Sequence, residues 1–467
     1  MVMFRYLTSY RFYTLAKIGF GLSYLWYISD FFRIHEAVWD QLSLLLPDPR
    51  NISLSGNPQL DVFFRRIAIL LNGRAMVWVF ALVSPVVAGL FLWGRHKWLQ
   101  LAVGWWMSFS MISLNSLMGV FSSTVDVWVN LVFVIYGLIA LISPADEWEK
   151  SEAGLSLARW RDNPPLASAF AWLVVWLQFL VYFFAGVNKL VLGWIPWTTG
   201  IALQNLAVDS SIHDFARGTY VPYWISLILC YVTLIQRLVV PFGFFFTRYR
   251  FWSALILGTM HVGYAVLMNV NLFPLIGIAS LLIILPPRMS SLPGTPSKVS
   301  PVGERTIPLL RRTGAPRAAW FENTVIGLFA LTLALESARL TGFNAMPWEN
   351  KLMVTPGWRM FADGGVVAGG EWRVILVTPR ERIDATAIAL QALPHSWRDR
   401  FYINIIFNDL LNKNIGPGSL VDRLGRATRR MYRERQLRLH LSPAIANVGF
   451  ELYQWKPPPA VASPGAP

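Results

Sequence analysis

Lys189 and Asn188 stand inside VYFFAGVNKLVLGW (residues 181–194), a run that is otherwise nearly all apolar. An amine there has two readings. In the bland one it snorkels, its stem along apolar surface and its head in the membrane interface. In the functional one it is desolvated enough to stand neutral and accept a proton. Helical spacing puts Gln178, Tyr182, Ala185 and Lys189 on one face, at offsets of 4, 3 and 4. That polar stripe belongs against a bundle rather than lipid. A second set lies in MHVGYAVLMNVNLFP, where His261, Tyr264 and Met268 share a face and Asn269 follows. Asn115 sits in SLNSLMG, and Asp126 opens the next apolar block. A lone intramembrane histidine is more often structural than catalytic, but polar groups from several segments at one depth point to a shared cavity. Trp194 and Trp197, in GWIPWTTG, read as an interfacial aromatic belt that can also cap such a cavity. The six histidines are scattered without HExxH spacing, so no metal is expected, and no P-loop or dinucleotide glycine motif supports ATP or NAD chemistry. Cys230 is the one cysteine, which leaves no intramolecular disulfide, CxxC pair or cysteine-ligated zinc.

The elements that hold these residues are apolar blocks. Of 467 residues 55% are hydrophobic and 14% charged, too apolar for an ordinary soluble domain, and the blocks are close to the length that crosses a bilayer. The expectation is an all-α polytopic membrane bundle of about nine transmembrane helices. They fall near 12–32, 75–94, 98–119, 126–143, 167–190, 222–246, 251–269, 272–287 and 320–338. The basic start and apolar run of the N-terminus lack a small-residue cleavage site and read as a retained first helix. Pro85 and Pro241 interrupt spans and are expected to kink them.

Orientation follows from lysine and arginine. With the N-terminus cytoplasmic, the inner loops are 95–97, 144–166, 247–250 and 288–319, and they hold Arg95, Lys97, Arg159, Arg161, Arg248 and Arg250 among others. The outer turns 120–125 and 270–271 hold no lysine or arginine. Loop 33–74 is an exception with five arginines, and residues 60–72 inside it read as an amphipathic surface helix. The net charge of +15 is then accounted for by loops facing anionic lipid. Nucleic-acid binding has no support, because no zinc finger and no basic patch with stacking aromatics lies outside the apolar blocks.

Residues 1–339 form the expected membrane domain. Residues 340–456 differ in kind and predict a small extracytoplasmic α+β domain. Its strands are expected at 371–377, 401–407, 436–441 and 450–455, with a basic helix at 419–435. Residues 457–467, rich in proline and alanine, read as a disordered tail.

Taken together, YFFAGVNKL, the tryptophan after it and Gly200 to Leu203 resemble a motif of the vitamin K-dependent gamma-carboxylase family, whose prokaryotic members are grouped as the horizontally transferred transmembrane domain (HTTM) family. MHVGYAVLMNVNLFP is similar to that family's histidine–asparagine–phenylalanine segment, and PGWRMFADGG (356–365) to the opening of its outer domain. The resemblance covers residues 5–400 or so. It implies that Lys189 is the base that deprotonates a reduced vitamin K or menaquinol-type quinol. The anion then reacts with oxygen, becomes a strong base and ends as an epoxide, and in the carboxylase that base takes a γ-proton from a glutamate, which adds carbon dioxide. His261 is then a second catalytic residue, Asn115, Tyr182, Tyr264 and Asn269 line the quinol site, and Trp194 closes it. Two departures separate quinol chemistry from carboxylation: Ser116 follows Asn115 where the family has a histidine, and most of the large propeptide-engaging region is missing.

Two functions follow as expectations. One is a membrane enzyme using a lipid quinol and oxygen at an outward-facing site, acting on the quinol or on a secreted peptide. The other is a non-enzymatic membrane factor for maturation or export of a secreted peptide or toxin. A transporter ranks below both, because no inverted repeat is visible.

Overall fold

A computed structural model of the chain describes residues 6–33, 74–118, 124–152, 155–192, 197–200, 202–203, 223–267, 272–287, 327, 331, 334, 370–378, 381–391, 420–438 and 447–454. These residues are mostly helical. Helices occupy eight of the nine expected spans: α1 (Tyr10–Arg33), α2 (Arg74–Trp93), α3 (Lys97–Met118), α4 (Thr124–Ile142), α7 (Ala169–Leu192), α8 (Tyr223–Leu238), α9 (Arg250–Leu267) and α10 (Phe273–Ile284). Of the ninth span only residues 327, 331 and 334 are described, and the expected surface helix at 60–72 lies outside the described residues. Two short helices, α5 (Ala145–Glu152) and α6 (Leu157–Asp162), lie in the loop between α4 and α7.

By length and composition, 169–191 and 223–245 are long and apolar enough to cross a membrane, and 78–93, 128–142 and 273–284 are shorter apolar helices. The two proline breaks turn out differently. Pro85 lies within an unbroken α2. Pro241 ends α8, and the chain continues as a 3-10 turn, Val240–Phe245, because a proline lacks the N–H that the next α-helical bond needs. That turn is clamped to α7 by aromatic rings: Phe242 stands 5.2 Å from Phe179 and 5.5 Å from Phe183, and Phe245 5.3 Å from Phe179.

Hydrogen bonds bring alternate helix ends together. A two-stranded sheet not foreseen from the sequence, β1 (Tyr6–Ser9) with β2 (Pro165–Ser168), joins the starts of α1 and α7. Tyr6 donates its hydroxyl to the Phe244 carbonyl at 2.6 Å, and Arg250 Nη1 donates to the Leu7 carbonyl at 2.9 Å with its guanidinium 3.7 Å from the Tyr6 ring centre. Lys97 Nζ donates to the Ser143 carbonyl, and the Leu155 amide to the Leu92 carbonyl at 3.1 Å. The starts of α1, α3, α7 and α9 and the ends of α2 and α4 therefore share one end of the bundle, and successive helices run antiparallel. That end also carries Arg11, Arg95, Lys97, Arg159, Arg161, Arg248 and Arg250.

The core is aromatic, with Phe20, Phe91, Phe133, Tyr136 and Phe170 buried together. α1 packs closely on α10, where a Cβ at Gly19 would stand 2.5 Å from the Ala279 Cβ. The outward faces are apolar instead of polar: Leu82 is 73% exposed, Val86 60% and Ile235 57%.

In the C-terminal region β3 (Gly370–Val377) is the centre of a three-stranded antiparallel sheet with β4 (Arg382–Asp384) and β5 (Asn447–Gln454). Val374 and Leu376, two apart in β3, are buried beside Ala385 and Ala389, which brings in α11 (Thr386–Gln391). The strands expected at 371–377 and 450–455 are present, and 401–407 lies outside the described residues. The strand expected at 436–441 is corrected: helix α12 runs Leu420–Arg438, through its first half. Strong helix formers continue past residue 435, and the Arg430–Glu434 pair at 3.0 Å and the Gln436 to Tyr432 bond at 2.6 Å sit one turn apart along the helix, so local pairing overrides the alternation of QLRLHL.

Candidate functional site

The stripe on α7 is an interior one. Gln178, Tyr182, Ala185 and Lys189 are all fully buried, which the 3.6-residue period requires once that side of α7 meets the bundle. Asn188 is spent locally, its Nδ2 donating to the Phe184 carbonyl one turn back at 2.9 Å. The snorkelling reading of Lys189 does not hold, since its side chain is 0% exposed, with Nζ 4.5 Å from the centre of the Trp197 ring.

Two polar layers are stacked along α7. Seven residues, or about 10 Å of helix rise, separate Lys189 from Tyr182. The first layer holds Lys189, Trp197 and Cys230 of α8, which lies within electrostatic reach of the amine. Residues 197–200 are held against α8 by the Tyr231 hydroxyl, which donates to the Thr198 carbonyl at 3.2 Å, and by close contact of Gly200 with Leu227.

The second layer joins α7, α8 and α9. The Tyr182 hydroxyl and His261 Nε2 are 2.5 Å apart, and Arg237 Nη2 donates to the Tyr264 hydroxyl at 3.0 Å. Trp128 and Phe273 wall the layer, the Phe273 ring standing 4.7 Å from the imidazole. The His261 ring lies flat against Gly277 of α10, where a Cβ would overlap it. Several polar atoms here have no hydrogen-bond partner among the described residues: Arg237 Nε and Nη1, His261 Nδ1, and both amide atoms of Gln178.

Of the residues expected at the site, Tyr182, His261 and Tyr264 meet in the second layer, and Lys189 lies apart from them in the first. Asn115 lies on α3, with its side chain outside the described residues, and Trp194 and Asn269 lie outside them altogether. The sequence reading missed Arg237, a fully buried arginine, although YVTLIQRLVVPF displays it plainly: an arginine well inside an apolar block is the same signal as Lys189. It also passed over Lys17, a buried amine near the basic end, 4.8 Å from the Phe91 ring centre and 5.1 Å from that of Tyr136. No protein-family model, curated protein or solved structure matches the chain.

The arrangement offers an amine in one layer and a hydroxyl–imidazole pair and a guanidinium in the other, in an interior walled by aromatic rings. A buried polar atom without a hydrogen-bond partner, such as Arg237 Nη1 or His261 Nδ1, is costly, and such atoms are a signature of sites that take a ligand.

Proposed function

We propose that the chain is a multi-pass membrane protein of the gamma-carboxylase-like kind whose helical bundle binds a lipid quinol, with Lys189 as the proton acceptor. The exposed apolar faces of α2, α3, α8 and α9 support the membrane setting, because a soluble surface rarely carries so large an apolar area. Exposed Trp93, Trp98, Tyr249 and Trp252 lie near the basic end, and Tyr223 and Trp224 open α8 at the other, as two interfacial belts would. The clustering of arginine and lysine at the first end favours placing it in the cytoplasm. Nine spans then put the C-terminal α+β region on the outer side.

The observation that carries the reading is the burial of the Lys189 amine beneath the face of Trp197. A neutral amine accepts a proton, and the ring face then attracts the ammonium that forms. The Tyr182–His261 pair can hold or pass a proton at the second layer. Aromatic walls suit a flat ring, and the polar atoms left without partners suit its oxygens. The quinol supplies the oxygen-dependent chemistry when bound, ending in an epoxide. Its beneficiary is the quinol itself or a secreted peptide.

The test is turnover of reduced vitamin K or menaquinol by the purified full chain in the presence of oxygen, with the epoxide followed by chromatography beside Lys189→Ala. Epoxide that depends on Lys189 supports the proposal. Folded protein that forms none with a range of quinols overturns it and favours the exported-peptide factor, for which cross-linking should then trap a peptide.

A further inference from the structure

The Arg237 side chain is fully buried, yet only Nη2 is accounted for, by the Tyr264 hydroxyl at 3.0 Å. The hydrogens of Nε and Nη1 have no acceptor among the described residues. Arg237 lies where α8 backs onto Gly186 of α7, one turn from Tyr182 along that helix. The rings of Trp128, Tyr182, Tyr264 and Phe273 surround the neighbouring imidazole. A guanidinium with donors to spare calls for an anionic oxygen, and an aromatic wall calls for a flat ring. The outward face of α8 is apolar and exposed, with Ile228, Leu229, Val232 and Ile235 on it, so such a ligand would approach this helix through lipid.

We infer that Arg237 is the charge partner of the site's ligand, holding the anionic oxygen of a lipid-soluble aromatic acid of the phenol class at the second layer. The inference rests on the quinol reading for the ligand's place between the layers, and it adds a division of labour. Lys189, in the first layer, takes the proton of a ring hydroxyl and becomes an ammonium; Arg237, in the second, holds an oxygen of the ligand that already carries negative charge. The site therefore selects the ionised form of an aromatic ligand.

The test is equilibrium binding, read by quenching of tryptophan fluorescence in the full chain reconstituted in lipid nanodiscs. The probes are 2-hydroxy-1,4-naphthoquinone, ionised at neutral pH, and its uncharged 2-methoxy analogue. Wild type should bind the ionised probe about tenfold more tightly than the analogue. Arg237→Gln should lose that preference with little change toward the analogue, and Arg237→Lys, which keeps the charge, should retain part of it. Equal affinities in wild type, binding of neither probe, or a preference that survives in Arg237→Gln would each overturn the inference. The wild-type comparison stands even if a variant fails to fold. Failure of the quinol reading looks different: the charge preference persists in wild type and in Lys189→Ala, while no quinol is turned over by either.

Discussion

At the residue scale the decisive fact is that a lysine and an arginine, Lys189 and Arg237, are both fully buried among apolar helices. Lys189→Met should abolish quinol turnover, by about 100-fold or more as for loss of a general base, while a cooperative thermal unfolding transition remains. Activity and thermal unfolding measured on the same preparation check both halves. Tyr182→Phe should lower stability. It leaves His261 Nε2 buried without its 2.5 Å partner, at a cost of about 1–3 kcal/mol in denaturant or thermal unfolding. No loss of stability would mean that the pair is not formed in the folded protein.

At the scale of elements, close approach and end-clasping decide how helices sit. Gly19→Ala inserts a methyl against Ala279 at the α1–α10 contact and should lower the thermal midpoint, by about 1–3 kcal/mol of overpacking. Gly89→Ala on α2 meets nothing within 4 Å and should be neutral or stabilising by about 0.5–1 kcal/mol, the helix-propensity gain. Comparing the two variants separates contact from propensity. The basic end is clasped by Tyr6 and Arg250. Burial pushes the Tyr6 hydroxyl well above the usual tyrosine range, and the neighbouring Arg250 charge offsets only part of this. A raised folded-state value means that the clasp's contribution is complete below about pH 10, the ordinary tyrosine value, and is lost as pH rises beyond it. Wild type should therefore lose stability more steeply above about pH 10 than Tyr6→Phe, in unfolding followed at a series of alkaline pH values.

At the scale of the whole molecule the proposal is a sided one. In a Cys230→Ser background, a cysteine at Arg248 should react with an impermeant maleimide only from the cytoplasmic side of sealed vesicles, and a cysteine at position 51, in the first outer loop, only from the other. Labelling of both from one side would overturn the orientation. Much of this framework was legible early. Eight helices lie on the expected spans, seven of them within a few residues at both ends, because a long apolar block has few alternatives to a helix whose backbone bonds are all internal. The interior face of α7 was legible too, through the offsets of Gln178, Tyr182, Ala185 and Lys189. The β1–β2 pairing was not, since Tyr6–Ser9 and Pro165–Ser168 are four residues each and lie 156 positions or more apart, with no local signal. The helical continuation through residues 436–438 was misread as strand because alternation in a short run cannot be told from a helix end.

By itself the sequence determined the apolar helices, the polar stripe on α7 and the concentration of positive charge in particular loops, since each follows from period, length or local composition. Only the tertiary structure decided which polar residues meet. It joined Tyr182 to His261 and Arg237 to Tyr264 across three helices, laid the His261 ring on Gly277, and placed the Lys189 amine under Trp197. The physical reason is that a helix has already made its own backbone bonds, so a long buried side chain that does not fold back on its own turn, as Asn188 does, is met by whichever helix packs against it, and helix packing is set by the fit of whole faces, which no single segment contains.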